Sequence, residues 1–153
     1  MNRRHERGFS LVEVIVALGL LAGVLISIAG LFILGSKQVE SGRTATEALS
    51  VARGILEEMD GWGFRQTYQL FGIDGTTALS ATVDTRTDPY SAKWQQTLDE
   101  ALFNSHAEIL IQSLGPTNPP PNLATTRAIR VVVTVFWSEG TRDRSIRLGT
   151  VRM

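Results

Sequence analysis

A chain of 153 residues with 15 basic and 15 acidic side chains carries no formal net charge, so charge gives no reason to expect a nucleic-acid partner. It has no cysteine, which excludes a disulfide framework and thiol chemistry. The length suits one domain, and about 115 residues remain beyond the N-terminal leader and apolar run, enough for a small packed core.

Residues 1–8 form a short basic head, with Arg3, Arg4 and Arg7 against Glu6, a net +2 that leaves −2 for the side chains from Phe9 onward. From Val14 to Gly35 no residue is charged. That run of about 22 residues is long enough to cross a bilayer core as one helix. The arginines favour a cytoplasmic N-terminus with the rest of the chain facing outward. A secretory signal places its small-residue cleavage site behind the apolar stretch; here the candidate glycine, Gly8, lies in front, so the helix stays in the mature chain. An uncleaved signal anchor is the plain alternative, but it does not account for Gly8 and Glu13 at this spacing. Glu13 is a lone acid at the front of the run. A charge at the bilayer centre costs about 2.5–3.5 kcal/mol on insertion scales, and less near the edge, so Glu13 calls for a partner.

The stretch Gly8-Phe9-Ser10-Leu11-Val12-Glu13-Val14 resembles the cleavage and methylation motif of type IV prepilins and type II secretion pseudopilins. The resemblance covers roughly residues 1–60. It implies cleavage between Gly8 and Phe9 by a prepilin peptidase, N-methylation of Phe9, and an assembly role for Glu13 as the fifth residue of the mature chain. It further implies a subunit of the inner membrane, single-pass, with its C-terminal domain periplasmic. Its partners would be membrane lipid, other pilins or pseudopilins and an inner-membrane assembly platform. Many pilins carry a disulfide near the C-terminus; this chain does not, and its outer domain must rely on packing.

Within the apolar helix, Gly19 and Gly23 form a G-x-x-x-G pair that lets helices approach closely in lipid. Gly30 stands where the resemblance places a helix-softening proline in major pilins; a stretch that softens in a filament and plain small-residue packing are both open readings. Past Ser36 the helix is expected to continue into water. Ala45, Ala48, Leu49, Ala52, Ile55, Leu56 and Met59 recur at spacings of three and four, one apolar stripe on an amphipathic helix over 36–60, with Gly61 as its stop. Residues 9–60 as one helix would run roughly 78 Å. The run Ala45 to Met59 also loosely resembles PilV-type minor pilins.

From 62 to 92 the pattern is weak. Trp62, Phe64, Tyr68, Leu70 and Phe71 are apolar anchors without a clear period; Gly72 to Gly75 reads as a turn, Thr76 to Thr87 as polar and β-leaning, and Asp88-Pro89 as another turn. Ala92 to Asn104 reads as a short helix with Trp94, Leu98, Ala101 and Leu102 on one face. The last third, 107–152, reads as antiparallel sheet. Glu108 to Leu114 forms one strand. A loop from Gly115 to Thr126 follows, with Pro116, Pro119, Pro120 and Pro121. Ile129, Val131, Val133, Val135 and Trp137 alternate toward the core along the next strand. After a hairpin loop over Glu139 to Asp143, Arg144 to Arg152 returns with Ile146 and Leu148 inward. The fold expected is α+β and pilin-like: a long N-terminal helix packed on a C-terminal antiparallel sheet. The domains are a leader at 1–8, a membrane or filament-core helix at 9–35 and an extracytoplasmic unit at 36–153.

No other chemistry stands out. His5 and His106 belong to no cluster with metal-ligand spacing, and no serine has a histidine partner at a catalytic spacing. No cofactor and no metal is expected. Asp84, Asp88 and the 139–143 loop offer carboxylates to calcium, yet their spacing fits no binding loop. Arg127, Arg130, Arg142, Arg144, Arg147 and Arg152 cluster in sequence; a solvated sheet face accounts for them more simply than DNA binding. The reading is a non-enzymatic minor pilin of PilV type, with a type II secretion pseudopilin as the close alternative. A signal-anchored extracytoplasmic receptor or enzyme is the alternative of another class.

Overall fold

The computed structural model describes residues 10–73, 78–115, 122–123 and 125–153. The chain divides into two compact units between Glu40 and Ser41. Helix α1, Leu11–Asp60, runs through that division.

The first unit holds the apolar part of α1. Leucine and alanine favour a helix, no proline interrupts it, and its large apolar side chains, from Leu11 to Leu34, are exposed. Among the described residues this is the one helix long and apolar enough to cross a membrane, and no residue of its apolar window is buried. A helix apolar all round and unburied needs an apolar solvent or other helices against it.

The second unit is built on a four-stranded antiparallel sheet of order β1-β2-β3-β4: Ser80–Asp84, His106–Leu114, Ala128–Glu139 and Arg142–Arg152. Helix α2, Phe64–Leu70, precedes β1, and helix α3, Ala92–Ala101, joins β1 to β2. Ala48, Ala52, Ile55, Leu56 and Met59 of α1 lie in one core with Ile109 and Ile111 of β2 and Ile129, Val131, Val133 and Val135 of β3. The alanines keep the helix close to the sheet, and the isoleucines and Met59 fill between; Ile55 is 1% exposed. The arrangement is the expected α+β one, a long N-terminal helix packed on an antiparallel sheet.

Four details differ from the sequence reading. The sheet starts earlier than residue 107, because β1 pairs with β2 from Ser80↔Gln112 to Asp84↔Glu108. Leu49 is half-buried outside the core cluster, and Val51 packs there instead. Helix α3 stops at Ala101, since Leu102 turns to extended backbone and Asn104 takes φ 48°. The β3–β4 loop shrinks to Gly140 and Thr141, with Gly140 at φ 62°, a tight hairpin that glycine makes without strain. The residues Gly75, Pro116, Pro119, Pro120 and Pro121 lie outside the described residues.

The aromatic residues that showed no period form a second small core. Trp62, Phe71, Tyr90 and Trp94 pack ring to ring with centroids 5.4–6.2 Å apart. Beside it a buried polar link is fully satisfied. The Thr85 hydroxyl donates to Gln95 Oε1 (2.6 Å) and accepts from the Ala107 amide (2.9 Å), while Gln95 Nε2 donates to the Ser105 carbonyl (2.8 Å). It ties the end of β1 to α3 and β2, so the insert is fixed by geometry that leaves no periodic trace.

Candidate assembly helix and the placement of the charged residues

Helix α1 opens at Ser10, whose carbonyl accepts from the amides of Glu13 (3.0 Å) and Val14 (3.2 Å). Glu13 stands in the first turn, where a carboxylate meets the positive end of the helix dipole; such a contact contributes about 0.3–1 kcal/mol. Ser10 and Glu13 have the spacing of a capping box, but the reciprocal side-chain bonds are not formed. The Glu13 carboxylate is exposed and has no hydrogen bond or ion pair with any described residue.

The other polar groups of the apolar segment behave differently. Ser27 Oγ donates to the Gly23 carbonyl (2.9 Å) and Ser36 Oγ to the Ile33 carbonyl (2.9 Å), so each hydroxyl is satisfied within its own helix. Glu13 is the one acid of the segment, and its carboxylate looks outward for a partner. By helical period Gly19, Gly23 and Gly30 share a face, and a Cβ on any of them would meet nothing within 4 Å. Gly8 and Phe9 lie outside the described residues, as do His5 and the arginines of the leader.

In the second unit the carboxylates considered for calcium are engaged elsewhere. Asp84 forms a forked pair with Arg86, at 2.6 Å to Nη2 and 3.1 Å to Nε. Hydrogen bonding from Arg86 outweighs burial and holds the Asp84 carboxyl below its ordinary range. Asp88 Oδ1 accepts from the amides of Tyr90 and Ser91, both at 3.0 Å, and leads the chain into α3. Glu139 accepts from Ser41 and Arg144, both at 3.1 Å. No group of three or more potential metal ligands occurs among the described residues. His106 stacks on Phe136 at 4.8 Å.

The arginines do not form one patch. Directly opposed residues of an antiparallel pair share a face, so Arg142, Arg144 and Arg152, opposite Glu139, Trp137 and Ile129, lie on the core-side rows. Arg130 and Arg147 lie on the other face with Val132 and Gly149. Arg152 is a structural staple. Its guanidinium donates to the carbonyls of Trp62 and Asp60 and reaches Thr67 Oγ1 at 3.4 Å, while Nε stands 3.7 Å from the Asp60 carboxylate. The last turn of α1 has no basic residue of its own, so Arg152 supplies from far along the chain the cation that a helix C-terminus favours.

Lys93 and Glu58 form a second link, between α3 and α1. Glu58 accepts from Lys93 Nζ and from Trp94 Nε1 (2.8 Å), and Lys93 Nζ lies 4.5 Å from the centre of the Tyr90 ring. Burial pushes the Glu58 carboxyl up, but the bonds from Lys93 and Trp94 and the lysine charge outweigh it and hold it below its ordinary range.

No curated protein and no solved structure shows a significant match to the chain. The prokaryotic N-terminal methylation motif matches residues 3–35, the stretch that contains Gly8, Phe9, Glu13 and the apolar start of α1, and this match supports a place in the prepilin-type pilin and pseudopilin family.

Proposed function

We propose that the chain is a minor pilin, of PilV type, in a type IV pilus. The observation that carries the reading is the Glu13 carboxylate, exposed and unpaired among the described residues at the front of an otherwise uncharged apolar helix, inside the matched motif. A prepilin peptidase cuts between Gly8 and Phe9 on the cytoplasmic side, and Phe9 is N-methylated. The new amine and Glu13 then lie four residues apart on the same chain. In lipid each charge is costly alone and the two attract strongly across subunits, so Glu13 of one subunit docks against the amine of its neighbour. The pair sets the register while the apolar faces of the helices supply the packing. The second unit, on the outer side of the inner membrane, rides on the filament. The role is structural, and no step of it needs a cofactor. The loose likeness of Ala45–Met59 to PilV-type chains favours the pilus over the type II secretion pseudopilus.

The test is site-specific crosslinking of the membrane helix to a co-expressed major pilin, with wild type and Glu13→Gln. Crosslinking is expected to fall at least tenfold in Glu13→Gln while both proteins insert equally. Mass spectrometry of the same samples is expected to find chains beginning at methylated Phe9. Equal crosslinking would remove the electrostatic docking step, and an intact Met1 terminus with the peptidase present would overturn the pilin reading. Crosslinking to a major pseudopilin alone would move the subunit to the secretion system.

A further inference from the structure

The outer face of the sheet holds a notch that the assembly reading does not use. On this face β3 presents Arg130, Val132 and Thr134, and β4 presents Arg147, Gly149 and Val151. Gly149 sits opposite Val132, and Arg147 sits opposite Thr134. The row Val132–Gly149 therefore has an arginine row on either side, each two residues away along the strands, about 7 Å. Because Gly149 has no side chain, the sheet surface dips there. A Cβ at this position would come within 3.3 Å of the Val131 carbonyl and the Val132 side chain, so the dip is closed to any larger residue without movement. The result is an open concavity of about 380 Å³ with Arg130 and Arg147 as walls and Val132, Gly149, Thr150 and Val151 as the rest of the lining.

Its charge is unbalanced. Arg130 forms no hydrogen bond or ion pair with any described residue, and Arg147 reaches only the neutral Thr134 hydroxyl at 3.4 Å. The nearest acids of the face are displaced from the notch. Glu108 lies beyond Thr134 on β2, Asp84 beyond that is held by Arg86, and Asp143 at the hairpin end accepts from Ser138. By contrast, Arg86, Lys93, Arg144 and Arg152 of the same unit are each ion-paired. Two guanidinium groups over an apolar floor match a carboxylate that stands beside a small apolar side chain, and guanidinium recognises carboxylate through paired N–H donors.

We propose that this notch docks an acidic, extended segment of a partner protein, with a carboxylate between Arg130 and Arg147 and an adjoining apolar side chain on Val132 and Gly149. The proposal does not depend on Glu13 or on cleavage at Gly8.

The experiment titrates isotopically labelled full chain, in nonionic detergent micelles, with the peptide acetyl-Glu-Val-Glu-amide while the amide signals of Val132, Gly149 and Val151 are followed by NMR. Those signals are expected to shift and saturate, at least tenfold more weakly with acetyl-Gln-Val-Gln-amide. The response is also expected to weaken at least fivefold in Arg130→Gln and in Arg147→Gln. Arg130 has no internal partner, so Arg130→Gln should leave the rest of the spectrum unchanged and isolates recognition from folding. Equal response to the neutral peptide, or an undiminished response in both variants, would overturn the proposal. So would inorganic phosphate competing as well as the peptide, because the notch would then be a simple anion site.

Discussion

Arg152 is the side chain whose loss the second unit should feel most for its apparent position, the last residue of an edge strand. Arg152→Ala removes donors to the Asp60 and Trp62 carbonyls and to Thr67, and the contact with the Asp60 carboxylate. The Arg152 side chain is 12% exposed whereas Asp60 is 54% exposed, so the carbonyl bonds matter more than the ion pair. A hydrogen bond from a charged donor is worth about 1.5–3 kcal/mol, the cation at a helix C-terminus about 0.3–1, and an exposed pair about 0–1. These terms overlap on one guanidinium, so a loss of about 2–4 kcal/mol is expected rather than their sum. The matched control is Arg144→Ala: this arginine is 45% exposed and among the described residues pairs only with Glu139, so its loss should cost about 0.2–1 kcal/mol. All three tryptophans of the chain, Trp62, Trp94 and Trp137, lie in this unit. Tryptophan fluorescence of the full chain in micelles during denaturant unfolding therefore reports on this unit alone. Arg152→Lys should fall between, because one ammonium cannot span the carbonyls that a planar fork spans. A loss for Arg152→Ala no larger than for Arg144→Ala would refute the staple.

The same assay separates two positions that look alike in sequence: Ile55→Ala should cost about 2–5 kcal/mol because Ile55 is fully buried, whereas Leu49→Ala, half-buried outside the core cluster, should cost clearly less, and equal costs would place the helix at a different rotation on the sheet. Glu58 predicts an acid-side effect. Its folded-state value lies below the ordinary glutamate range, so the stability it contributes is present above that range and is lost as pH falls through and below it. Wild type should therefore lose more stability than Glu58→Gln on acidification from neutral pH to the bottom of the glutamate range, and parallel pH profiles would rule out Glu58 as a contributor.

The parts of the fold that could be read from sequence are those with a period. The stripe Ala48, Ala52, Ile55, Met59 recurs as a helix must, and Ile129 through Trp137 alternates as a half-buried strand must, so both faces of the main core are legible in the sequence. The insert is not, because its order comes from single contacts rather than repeats. Leu123, nearly fully buried, stands alone in a proline-rich loop, and its amide donates to the Ala78 carbonyl at 2.9 Å. Trp62 and Phe71 meet Tyr90 and Trp94 across a gap in sequence that no local pattern spans. The arginines show the same limit from the other side. Six of them close together in sequence suggested one surface, but strand alternation sends Arg130 and Arg147 to one face and Arg144 and Arg152 to the other, and packing then turns Arg152 into a helix cap. Glu13 is the opposite case. An acid in front of an uncharged helix breaks the local rule for a membrane span, and among the described residues only the dipole of its own helix favours the charge. A serine hydroxyl in the same helix finds a carbonyl one turn away; a carboxylate needs a donor, and the Glu13 carboxylate bonds to no described residue. Under the proposed function the partner of Glu13 is a positive group on a neighbouring subunit, a contact that lies outside the fold of one chain and so leaves no trace in its packing.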